Sequence, residues 1–97
     1  MLIRARIAGI GAYLPEKRVT NNDLAKIMDT SDEWIQERTG IVERRYAEKH
    51  KESTSTMGAE AARRAIEHAG ITPQDIDFVV FATLSPDYFF PGCGVLL

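Results

Sequence analysis

Cysteine is almost missing from this sequence. Cys93 is the only one in 97 residues, so no intramolecular disulfide can form, and the lack of a CxxC pair or a Cys/His cluster offers no zinc site. That usage fits a reducing, cytoplasmic compartment. An excess of one charge is also lacking: Lys+Arg 12 stand against Asp+Glu 14, a formal net charge of -2, and the two signs are interspersed. No electrostatic footprint for nucleic acid follows. No apolar run approaches the roughly 18 residues of a membrane span. Arg4 and Arg6 interrupt the opening apolar stretch, which excludes a signal-peptide core. Gly9 and Gly11 lack the rest of a GxGxxG loop, so a dinucleotide site has little support. Internal repeats and low-complexity segments are absent too.

What remains is the composition of an ordinary globular chain, 44% hydrophobic and 27% charged, long enough for one small domain or part of one. Residues 3–12 are rich in Ile, Ala and Gly and end at Leu14-Pro15, which predicts a strand with a proline stop. Thr20-Asn21-Asn22-Asp23 caps a short amphipathic helix carrying Leu24, Ile27 and Met28. Thr30 and Glu33 have the spacing of a second capping box, with Gly40 ending that helix after roughly two turns. From Ile41 to Glu52 charges dominate, as in a solvated connection. Ser53 to Thr56 caps a long helix through Ala69, on which Met57, Ala61, Ala65 and Ala69 form a small-residue face, and Gly70 terminates it. Thr72-Pro73-Gln74-Asp75 opens one more helical turn. Phe78 to Leu84 is apolar on both faces, as a central strand of a covered, parallel sheet is. The pattern predicts α/β, a layered α-β-α fold. Pro91 starts a last helix, and the apolar Val95-Leu96-Leu97 end has no cap, charge or glycine stop. The expectation is that residues 1–97 are a fragment of a longer protein.

Thr30, Trp34, Arg38 and Thr39 attract attention as a group. An indole and a guanidinium one helical turn apart can stack on a flat heteroaromatic ring and pair with phosphate, and two hydroxyls add directional hydrogen bonds. The competing reading is a tryptophan packed in the core, with Arg38 paired to Asp32, Glu33 or Glu37. Those three carboxylates suit a helix start and a solvated face better than paired acid-base catalysis. Cys93 sits near a helix start that would lower a thiol pKa. A nucleophile also needs a base in reach, and His50 and His68 read as surface residues, so a structural thiol is the competing role. Phe89 and Phe90 cannot both face one core if extended. One of them reaches a partner subunit, a pocket or further chain, or else both cover a sheet edge.

The blocks Leu14-Pro15-Glu16-Lys17, Asp29-Thr30-Ser31-Asp32-Glu33-Trp34-Ile35, Arg38-Thr39-Gly40-Ile41 and Glu43-Arg44-Arg45, continued by Ser55-Thr56-Met57-Gly58, Ala69-Gly70-Ile71, Ala82-Thr83 and Phe90-Pro91, resemble the ketoacyl-acyl-carrier-protein synthase III family. The likeness runs over essentially the whole chain. It implies a thiolase-like fold of two duplicated halves, with residues 1–97 as the amino-terminal segment of the first half, and a homodimer. It also implies an acyltransferase that takes an acyl group from coenzyme A onto a cysteine and condenses it with malonyl-acyl-carrier protein, losing carbon dioxide, to initiate fatty-acid synthesis. No separate cofactor is implied, the coenzyme A thioester being substrate. The resemblance places Trp34 on the adenine, Thr30 at the adenine end, Arg38 and Thr39 along the coenzyme A channel, and Phe90 in the partner's acyl pocket. The catalytic cysteine, histidine and asparagine fall after Leu97, so none lies in this segment and Cys93 is not the nucleophile. Gly92-Cys93-Gly94 departs from the family's usual small, serine- and alanine-containing run. Two other functions compete: a related starter-acyl or quinolone-type condensing enzyme, and a non-catalytic coenzyme A- or partner-binding module.

Overall fold

Hydroxyl side chains set where the principal helices begin. The computed structural model describes residues 2–97, and these form two compact units, one of Leu14–Glu52 and one of the chain up to Tyr13 together with Ser53–Leu97.

In the Leu14–Glu52 unit, strand β1 (Lys17–Thr20) runs directly into helix α1 (Asn21–Ala25). Thr20 makes the change: its hydroxyl accepts from the Asp23 N–H at 3.1 Å, and the Asp23 carboxylate accepts from the Thr20 N–H at 2.9 Å. This reciprocal box satisfies two backbone donors at the helix start and holds the Asp23 carboxyl below its ordinary range. The helix is shorter than the apolar spacing predicts. It ends at Ala25, and Ile27 and Met28 lie exposed beyond it. Helix α2 (Asp32–Thr39) is capped by Ser31, whose Oγ accepts from the Trp34 N–H at 3.1 Å, so the cap falls one residue after the expected Thr30. Gly40 ends the helix in the left-handed conformation, φ 72°, where a residue without Cβ is least strained.

The charged connection contains a strand that the sequence pattern did not predict. Strand β2 (Glu43–Tyr46) pairs antiparallel with β1 in the register Lys17↔Tyr46 to Thr20↔Glu43. Its arginines serve as inward hydrogen-bond donors. Arg44 reaches Val19 O at 3.2 Å and Asn21 Oδ1 at 2.8 Å, and Arg45 reaches Pro15 O at 2.8 Å. Pro15, Val19 and Ile35 are the buried apolar residues of this unit, and Asn21 is buried with them. The Asn21 amide donates to Asp32 Oδ1 and to Ile41 O, both at 2.8 Å, while its oxygen accepts from Arg44. One buried side chain with every polar atom used thus ties the start of α1 to the start of α2 and to β2.

In the other unit, helix α3 (Thr54–Ala69) starts at Ser53, which shares a capping box with Thr56, and ends at Gly70 with φ 71°. Its alanine face receives the chain that precedes Tyr13. A Cβ on Gly9 would stand 2.6 Å from Ala65 O, and one on Gly11 would collide with Ala61 O and Ala65 N. Backbone lies on backbone here, which only glycine permits. The contact is reinforced by Ile10 N–H donating to His68 Nδ1 at 3.1 Å and by Arg64 donating to Ala12 O at 2.9 Å. His68 is therefore exposed, as expected, but tethered. A 3-10 turn (Pro73–Asp75) and helix α4 (Cys93–Leu96) complete the elements.

Neither predicted strand of this unit forms. Residues 3–12 and 78–84 have no strand assignment, because an extended segment becomes a strand only when a neighbour pairs with its N–H and C=O groups, and β1 and β2 make the sheet among the described residues. Phe81 does pack on α3, where a Cβ on Gly58 would lie 2.8 Å from its ring. The side chains around it stay in solvent: Phe78 and Val80 are each 82% exposed.

Candidate functional site

With Ser31 taken as the cap of α2, Thr30 is released from that duty. Its Oγ1 is shielded from solvent and has no hydrogen-bond partner among the described residues, a condition that leaves an acceptor and a donor unused. Asp29, Thr30, Ser31 and Trp34 line a depression of about 340 Å³. Trp34 forms its wall with an indole that is 54% exposed, while the next residue, Ile35, is the one that α2 buries. One turn along, the Arg38 guanidinium lies over the Trp34 ring at 5.3 Å from its centroid, inside the range of a cation–π contact. The core alternative for Trp34 is not met in this unit. Nor is the expected use of Asp32 as an Arg38 partner needed, since Asp32 accepts from Gln36 and Asn21, the two bonds that hold its carboxyl below the ordinary range.

Thr39 takes a different part. Its hydroxyl donates to Ile35 O at 2.7 Å and accepts from Ile41 N–H at 3.0 Å, so it braces the end of α2 beside Gly40. Thr30 and Trp34 therefore share one depression, Arg38 stacks over Trp34, and Thr39 is occupied by backbone. Chemically this is a half-open aromatic face with a fixed cation and a shielded hydroxyl: it can stack a planar ring and pair with an anion.

The remaining candidates lie in the other unit. Phe89 and Phe90 are 101% and 92% exposed, so neither covers a sheet edge there. Cys93 is buried at the first position of α4. Its sulfur accepts from the Asp87 N–H at 3.4 Å and donates to Asp87 Oδ1 at 3.7 Å. No cluster of His, Cys, Asp and Glu among the described residues could hold a metal ion, and no helix among them is long and apolar enough to cross a membrane. Sequence reading missed Asn21 as a hub and Ser55 with Asp87 as a pair. Asn21 lay inside a recognised capping cluster and was absorbed by it. Ser55 and Asp87 are 32 positions apart and carry no local signal.

No family model matches the chain. Individual proteins do. Beta-ketoacyl-[acyl-carrier-protein] synthase III 1 of Bacillus anthracis is 55% identical over 91 residues, 94% of this chain and 29% of that protein. The chain matches the amino-terminal portion of beta-ketoacyl-[acyl-carrier-protein] synthase III. The crystal structure of 3-oxoacyl-[acyl-carrier-protein] synthase III from Aquifex aeolicus agrees, with a TM-score of 0.88 and 47% identity over 93% of this chain and 29% of its own. The priming beta-ketosynthase of the R1128 polyketide biosynthetic pathway superposes with a TM-score of 0.71 at 39% identity, covering 84% of this chain and 26% of its own. These neighbours give the fold as α/β of the layered, thiolase-like class, of which the chain is the first part. The chain spans about 29% of the length of the synthase III relatives it matches.

Proposed function

We propose that this chain is the opening section of an acyltransferase that condenses an acyl-coenzyme A starter with malonyl-acyl-carrier protein, with decarboxylation, to initiate fatty-acid synthesis. The observation that carries the proposal is the outward-facing Trp34 ring with Arg38 stacked on it, beside the unpartnered Thr30 hydroxyl. In this reading the adenine of coenzyme A stacks on Trp34, Thr30 supplies a hydrogen bond at the adenine end, and Arg38 pairs with phosphate. Thr39 lines the channel while bracing the end of α2. Phe90 enters the acyl pocket of a second copy in a homodimer, and the nucleophilic cysteine, with its histidine and asparagine, belongs to sequence after Leu97. A second reading, a priming condensing enzyme for another acyl product, draws on the likeness to the polyketide ketosynthase.

The test uses the full-length protein with acetyl-coenzyme A and malonyl-acyl-carrier protein. The expected result is carbon dioxide, a ketoacyl-acyl-carrier product and an acyl-enzyme whose mass increment maps to a cysteine other than Cys93, with Cys93→Ser retaining acyl transfer. Acylation of Cys93, or no acyl-enzyme from any acyl-coenzyme A, overturns the proposal. Acylation only by longer or branched starters favours the second reading.

A further inference from the structure

Phe89 and Phe90 pose a problem of direction. Nearly full exposure, 101% and 92%, means that packing within their own unit does not aim them. The chain that carries them is instead fixed at its two ends. At one end the Thr54 hydroxyl donates to Ser85 O at 2.6 Å. Two residues on, the Asp87 carboxylate sits on the first turn of α3, accepting from Ser55 N–H at 2.9 Å through Oδ1 and from the Ser55 hydroxyl through Oδ2. At the other end Cys93, the first residue of α4, exchanges hydrogen bonds with the same Asp87. Ser55 and Cys93 are both buried.

The chemistry suits a durable attachment. The first N–H groups of a helix have no intrahelical partner, and a carboxylate there also meets the positive end of the helix dipole. The two bonds from Ser55 hold the Asp87 carboxyl below its ordinary range, so it is an anion at neutral pH. One side chain thereby links α3, the aromatic segment and α4.

We infer that Asp87 and Ser55 form a clamp that fixes residues 85–92 on the start of α3 and so aims Phe89 and Phe90, which makes both clamp residues positioning residues for acyl-group selectivity. The selectivity role rests on the enzyme reading above; the clamp itself does not. Neither residue touches the reacting atoms in this scheme. They act through the backbone that carries the rings.

The experiment compares Asp87→Ala, Ser55→Ala and the milder Asp87→Asn with wild type in the full-length protein. Amide hydrogen exchange is followed over residues 85–92. Loss of a hydrogen bond to a charged group should raise exchange there about tenfold in Asp87→Ala and Ser55→Ala, and less in Asp87→Asn, which keeps one oxygen for Ser55 N–H. The second readout is the ratio of kcat/KM for a short and a longer acyl-coenzyme A, expected to change by about threefold or more in the alanine variants, as small changes in pocket shape do, with partial rescue in Asp87→Asn. Unchanged exchange in all three variants overturns the clamp. Raised exchange with an unchanged ratio overturns the positioning role. A wild-type protein that binds no acyl-coenzyme A overturns the enzyme reading and the selectivity role with it, while exchange still decides the clamp.

Discussion

Trp34 stands where a helix would ordinarily spend its largest apolar side chain on the core, yet α2 buries Ile35 and leaves the indole half in solvent. The reason is local. Ser31 caps the helix, the chain before it turns away, and Thr30 is left lining the same depression with its hydroxyl unused. Arg38 then covers one part of the ring by cation–π contact. A ring held this way keeps its stacking surface without a deep hydrophobic contact to lose. In the full-length protein, Trp34→Ala should therefore weaken coenzyme A binding by about 1 to 3 kcal/mol, the range for a base stacked on an aromatic side chain. The stability loss should fall well short of the ~3 to 5 kcal/mol of a large core truncation. Calorimetric affinity per folded molecule and thermal unfolding on the same preparation check both parts. Full affinity combined with a large stability loss would return Trp34 to the core and remove the role given to Arg38.

Among the elements, the glycines separate two physical demands. Gly40 closes α2 at φ 72° with open space around it, whereas Gly11 has an obstructed position above the Ala61 carbonyl and Ala65 nitrogen of α3. Gly40→Asn should cost little, because asparagine tolerates the left-handed conformation. Gly11→Ala should cost about 1 to 3 kcal/mol, the range for overpacking, since helix backbone cannot move aside as a side-chain end can. Thermal midpoints of the two variants in the full-length protein test the contrast; an equal, small effect would mean that residues 9–11 do not rest on α3. Local signals of this sort were legible in the sequence. The Ser53 cap, the Gly40 and Gly70 stops, the alanine face of α3 and the one-turn spacing of Trp34 and Arg38 all follow from spacing within a few residues. The α2 cap was misplaced by one position because Thr30 and Ser31 are both good caps. Strands β1 and β2 were not legible. Glu43-Arg44-Arg45-Tyr46 has no apolar alternation, and its pairing with Lys17–Thr20 spans nearly thirty residues that no local window joins. Phe78–Leu84 fails in the opposite direction: its composition is that of a buried strand, but composition does not supply a ladder partner.

At the scale of the whole chain, the same failure becomes a prediction about solution behaviour. Burial is confined to few side chains, Pro15, Val19, Ile35, Cys93, Asn21 and Ser55 among the described residues, while Phe78, Val80 and Leu84 and the Phe89–Phe90 pair face solvent. Extended apolar backbone without a paired neighbour is a template for association, and exposed large apolar side chains gathered in one segment add to it. The net charge of -2 offers little electrostatic repulsion to oppose it. The 97-residue chain, produced alone, should therefore self-associate at micromolar concentration, by sedimentation velocity or light scattering, and should show no condensation of acyl-coenzyme A with malonyl-acyl-carrier protein. Self-association should weaken when Phe78 and Val80, both largely exposed, are changed together to Thr, which preserves strand propensity while removing apolar area. A dispersed monomer before any substitution would show that these faces need no cover, and measurable turnover by the isolated chain would place the reacting cysteine at Cys93 after all, because it is the only thiol present.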